Sequence, residues 1–135
     1  MAKIYEHRAM RSDKYIGKVN KDGKVYREKF GPDEYVGRVD YESGKVYAHR
    51  VGRDDYLGSV NEEGKIYGHK FGPDNYEASV DKDNKIYAHK AMARDDYVGH
   101  VDEMMHMVEA AAAWFLFFAN ETDESDSEDT TDEQE

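Results

Sequence analysis

The sequence predicts an all-β repeat protein: five β-hairpin units in a closed pseudo-symmetric ring, followed by one C-terminal apolar helix and a disordered acidic tail. Three observations carry this. A unit of 20–21 residues recurs five times over residues 3–102, and a fixed period of that size marks a repeat architecture. Each unit holds two short runs rich in Tyr, Val and Ile between turn residues, as strands do. After the last unit comes a stretch without Gly or Pro, and then a run of acidic residues. The chain therefore divides into a repeat domain (1–102), a helix (103–119) and a tail (120–135).

Strand A of each repeat covers residues 3–8, 24–29, 45–50, 65–70 and 85–90, marked by Tyr5, Tyr26, Tyr47, Tyr67 and Tyr87. Strand B covers 15–20, 35–40, 56–61, 76–81 and 97–102, marked by Tyr15, Tyr35, Tyr56, Tyr76 and Tyr97. The B-to-A connections are tight. Asn20-Lys21-Asp22-Gly23-Lys24 fits a type I turn closed by a left-handed residue, a three-residue hairpin loop. In the last such turn Asn84 stands in for glycine, and Asn is the best substitute at positive φ. The turn at 40–44 is one residue longer. The A-to-B loops are longer, and two read Phe-Gly-Pro-Asp, with Pro at a favoured turn position.

The turn sets the register. With Asn20 opposite Lys24, Val19 faces Val25 and Gly17 faces residue 27. Alternation then assigns Tyr15, Gly17, Val19, Val25 and position 27 to the core face. Ile16, Lys18, Asn20, Lys24, Tyr26 and Glu28 fall on the other. The small residues at the facing positions imply hairpins crowded near an axis. Glu6 and Arg27 break the small-residue rule, which places them near an open end. Strand A of the first repeat and strand B of the fifth are left over, and together they make a fifth hairpin without its turn. A ring sealed by that pairing hides its edges; an open solenoid would leave the complementarity unused.

Runs such as Tyr15-Ile-Gly-Lys-Val-Asn-Lys-Asp-Gly-Lys-Val-Tyr26 and Tyr56-Leu-Gly-Ser-Val-Asn-Glu-Glu-Gly-Lys-Ile-Tyr67 resemble the repeats of the bacterial β-flower proteins. The resemblance covers residues 3–102 and implies a small closed ring of β-hairpins with four- or five-fold pseudo-symmetry. It brings no activity with it. MORN repeats rank second: they share Tyr-x-Gly, but their unit is longer and carries a Gly-x-Gly missing here.

Residues 103–119 suit a helix, about 25 Å long, with Asp102 as N-cap and Glu103 favourable at the positive end. From Ala110 to Ala119 every side is apolar, so the helix requires a cover. Three covers are open: the end of the ring, other copies of itself, or a membrane. The apolar run is shorter than the roughly 20 residues of a membrane span, which makes a membrane the weakest of the three. The interaction residues expected are Met104, Met107, Val108, Trp114, Phe115, Leu116, Phe117 and Phe118, giving a homo-oligomer or a protein partner.

The formal charge of −11 is concentrated in the tail, where residues 121–135 hold nine Asp or Glu and no Lys or Arg; without them the balance is about −2. Such a tail is expected to be disordered. The body lacks the basic face that nucleic-acid binding requires. There is no cysteine, hence no disulfide framework, and no apolar N-terminal segment of the secretory kind. A cytoplasmic protein is expected.

The sharpest chemical signal is a histidine column. His7, His49, His69 and His89 share one strand position, with Glu28 in the remaining copy. Such a column suits Zn²⁺ or Ni²⁺ if the ring brings the imidazoles together; duplication alone also produces it. No nucleophile–base pattern and no phosphate loop occur. The reading is therefore a non-enzymatic structural or protein-interaction module without a cofactor, self-associating or docking through its C-terminal helix. The alternative is a small metal- or ligand-binding protein using the His and Tyr columns.

Overall fold

The structure, a computed structural model, describes residues 1–69 and 73–119. Its ten strands are β1 (Ala2–Glu6), β2 (Lys14–Val19), β3 (Lys24–Arg27), β4 (Glu34–Asp40), β5 (Lys45–His49), β6 (Asp54–Val60), β7 (Lys65–Gly68), β8 (Asn75–Val80), β9 (Lys85–Ala88) and β10 (Asp96–Asp102). They form a closed antiparallel barrel in which every strand pairs with its sequence neighbours and β1 pairs with β10. A closed ring of five hairpin units is thus the fold. The acidic tail lies outside the described residues.

The tight turns are as the residues dictate. Asn20 N–H donates to Lys24 O and Gly23 N–H to Asn20 O, both at 2.9 Å. Gly23 sits at φ 91° and Asn84 at φ 66°, the left-handed region that Gly and Asn tolerate best. The register follows: Val19 faces Val25, Lys18 faces Tyr26, and Gly17 faces Arg27. The seam repeats it without a turn, with Val101 opposite Ile4, His100 opposite Tyr5 and Gly99 opposite Glu6. Closure thus leaves no sheet edge.

One expectation about faces is overturned. Each A–B strand pair carries a β-bulge, for example where Ile4 faces Gly17 but Tyr5 faces Tyr15. Ile16 is the extra residue; Val36, Leu57, Glu77 and Val98 repeat it. A bulge reverses the alternation beyond it. The tyrosines at Tyr15 and its equivalents therefore leave the core face and stand on the outer wall, half-buried. Ile16, Val36, Leu57 and Val98 turn against the core instead.

The core is built in two tiers. At the turn end each strand supplies one inward β-branched residue: Ile4, Val19, Val25, Val39, Val46, Val60, Ile66, Val80, Ile86 and Val101, all buried. Toward the loop end the inward residues of the B strands are Gly17, Gly37, Gly58, Ala78 and Gly99. The lumen between them holds the C-terminal helix, α1 (Met107–Ala113), which continues into a π-helical segment, Trp114–Phe118. Residues 108–118 are at most 6 % exposed.

The helix begins later than residue 103. Glu103 takes φ 58°, and residues 103–106 turn the chain from the wall into the lumen. His106, not Asp102, is the N-cap, its Nδ1 accepting from Val108 N–H at 2.9 Å. Nor do the glycines face a neighbouring hairpin across an empty axis. A Cβ on Gly17 would lie 2.5 Å from Phe117, on Gly37 2.8 Å from Leu116, on Gly58 2.4 Å from Phe115 and on Gly99 2.6 Å from Phe118. Small wall residues admit large helix residues, while the helix alanines pass the Val/Ile tier.

Candidate functional site

Three parts of the molecule bear on function: the helix, the outer wall and the loop end of the barrel. The residues expected to mediate self-association are inside. Val108 and Trp114–Phe118 are buried by the chain's own barrel, and Met104 and Met107 pack against the same core. The interaction assigned to them is intramolecular, because the apolar surface that called for a partner finds one in the lumen.

The helix is also held by polar contacts. Glu109, 1 % exposed, accepts from Met105 N–H at 2.7 Å and from the Tyr41 hydroxyl at 2.6 Å. Tyr41 belongs to the lengthened turn, residues 40–44. Its burial, and then its bond to Glu109, push the phenol well above its ordinary pKa. At the other end Arg27 Nη2 donates to Leu116 O at 3.0 Å, and its guanidinium lies 4.8 Å from the Phe117 ring centre. Trp114 Nε1 donates to Glu77 Oε1 at 3.0 Å.

On the outer wall the two tyrosine columns meet in pairs 5.6–5.7 Å apart. The histidines join them. His7, His49, His69 and His89 lie 4.1–4.8 Å from Tyr97, Tyr35, Tyr56 and Tyr76, the strand-B tyrosines of the preceding repeats. Each Nδ1 reaches an aspartate at or just before the start of strand B, Asp13, Asp54, Asp74 or Asp95, at 3.2–3.7 Å. These four histidines thus link neighbouring repeats on the outside of the ring, each touching the preceding repeat's tyrosine and an aspartate of its own repeat. Among the described residues no group of three or more His, Asp or Glu side chains is placed to hold a metal ion.

A further column of basic residues links neighbours. Lys18 reaches Asp33 at 3.5 Å, Arg38 reaches Asp54 at 2.7 Å, and across the seam His100 reaches Asp13 at 3.1 Å. The Arg38 guanidinium, with a smaller contribution from His49, holds the Asp54 carboxyl below its usual range.

The loop end carries two features the sequence reading did not single out. The loop tips are apolar and bare: Met10, Phe30, Val51 and Met92 are 97–108 % exposed. The antiparallel order of the barrel puts these loops on one rim. Their signal in the sequence was an apolar residue two or three places after the His position in every loop. The fourth loop's Phe71 lies outside the described residues.

The second feature is a cleft of about 620 Å³ between the first two repeats, lined by Glu6, Lys14, Tyr15, Ile16, Arg27, Glu28, Lys29, Phe30 and Gly31. Three of these depart from the repeat. Where repeats 3–5 have Ala48, Gly68 and Ala88, repeats 1 and 2 have Glu6 and Arg27; where four repeats have histidine, repeat 2 has Glu28. The chain matches no family model, no curated protein and no solved structure.

Proposed function

We propose that the protein is a non-enzymatic interaction module of the β-flower kind, a rigid ring that docks a protein partner through its loop rim. The observation that carries this reading is the set of bare apolar tips, Met10, Phe30, Val51 and Met92, at equivalent places on one rim. Isolated exposed apolar residues are common; repetition on one rim of a closed ring is what sets these apart. Each contributes about 1.5–3 kcal/mol when covered, so several together weigh against the cost of association. The helix takes no part while the barrel is closed.

The test compares the full chain with the variant Met10→Ser/Phe30→Ser/Val51→Ser/Met92→Ser. Sedimentation velocity and affinity capture are run on both. Self-association or a captured partner that is lost in the variant supports docking through the rim. Retention of the same partners by a folded variant assigns the interaction to the wall and overturns the reading.

A further inference from the structure

The structure assigns a binding site for a small organic cation to the cleft between the first two repeats, where the ligand takes the place of a missing histidine. The argument begins from the four repeats that keep the histidine. There an imidazole lies tilted against a strand-B tyrosine at 4.1–4.8 Å and contacts an aspartate at or just before the start of strand B. In repeat 2 the same backbone position is kept: Glu28 N–H donates to Ile16 O at 2.9 Å, as His69 N–H does to Leu57 O and His89 N–H to Glu77 O, both at 2.8 Å. The side chain there is a carboxylate, and Tyr15 and Glu28 both line the cleft.

Charge decides what fits. Arg27 is engaged by Leu116 O and lies 3.9 Å from Glu34, which also takes Lys29 at 3.1 Å. Glu34 offsets one of these two charges; Glu6 and Glu28 enter no ion pair within 4.0 Å among the described residues, and Lys14 is the third cation of the lining. Counting Glu34, three carboxylates balance three cations, so the preference is local: Glu28 stands beside the Tyr15 ring without an ion-pair partner, and a carboxylate next to an aromatic face favours a cation. Tyr15 reports the same field: after burial, the carboxylates of Asp33 and Glu28 raise its pKa. Ile16 and Phe30 supply apolar wall for a flat body. A protonated amine or imidazolium on a ring-sized body meets these demands, and the cleft volume is in the range of small-molecule sites.

The experiment is an amide-shift NMR titration of the full chain with phenethylamine and, separately, with 3-phenylpropionate, which has the same ring and the opposite charge. Phenethylamine is expected to shift residues 14–17 and 27–31 saturably, with half-saturation at or below about 1 mM, and phenylpropionate not to. Glu28→His restores the repeat's own residue and so keeps the fold; it is expected to weaken amine binding about tenfold or more, as the imidazole refills the place. Glu6→Ala, which likewise restores a residue of the repeat, is expected to weaken it without lowering the melting temperature. Equal binding of the acid, unchanged binding in Glu28→His, or no saturable shift in the cleft overturns the assignment.

Discussion

Tyr41 lies in the lengthened hairpin turn, and its hydroxyl reaches a carboxylate buried at the start of the helix. Tyr41→Phe keeps the ring and removes the donor. The expected cost is about 1–3 kcal/mol, because Glu109 loses a partner where water is scarce; chemical denaturation measures it. Gly17→Val places branched carbons where Phe117 and the Tyr26 carbonyl already stand, and is expected to cost at least about 1–3 kcal/mol by overpacking. A third prediction concerns acid. The Asp54 pKa is lowered in the fold, chiefly by Arg38, so the pair stabilises the protein above the unfolded value, near 4, and that contribution is lost as pH falls through the lower folded value. Asp54→Asn should therefore flatten the acid limb of the stability profile below about pH 4 and leave its neutral region shaped as before.

At the scale of elements, the helix and the ring are matched residue by residue. Phe118, Phe117, Leu116 and Phe115 face Gly99, Gly17, Gly37 and Gly58 in turn, and Trp114 bonds Glu77. Five consecutive side chains so address repeats 5, 1, 2, 3 and 4, each one-fifth of a turn from the last. An α-helix advances about 100° per residue and would overshoot; the π segment, bonded from Ala119 N–H to Trp114 O, winds less per residue. One alanine inserted after Ala113 should put every aromatic against the wrong repeat and abolish the cooperative thermal transition. The turns, the register and the sealing pair were legible in the residues, because Gly23, Asn84 and the alternation around them act locally. The bulges were not: nothing in Tyr-x-Gly distinguishes a continuous strand from one with an extra residue, and that single slip moved five tyrosines outward. The helix's cover stayed open because apolarity states a need without naming who meets it. The cleft was visible only as Glu6, Arg27 and Glu28 breaking the pattern.

For the whole molecule, closure rests on β1 and β10, joined by no turn. Removing residues 1–8 would bare the edges of β2 and β10, and an unpaired edge recruits strands from other copies. Light scattering should then find oligomers in place of the parent's species. The order of the elements along the chain has another consequence, one of timing. The segment that fills the lumen is made after every strand that surrounds it, so during synthesis the wall emerges before its own filling. Hairpins close within microseconds once their residues are available, but the seam and the lumen must wait for residues 102–118. Refolding should accordingly show an early phase of local strand pairing. The rate-limiting step should be the entry of the helix, reported by the fluorescence of Trp114.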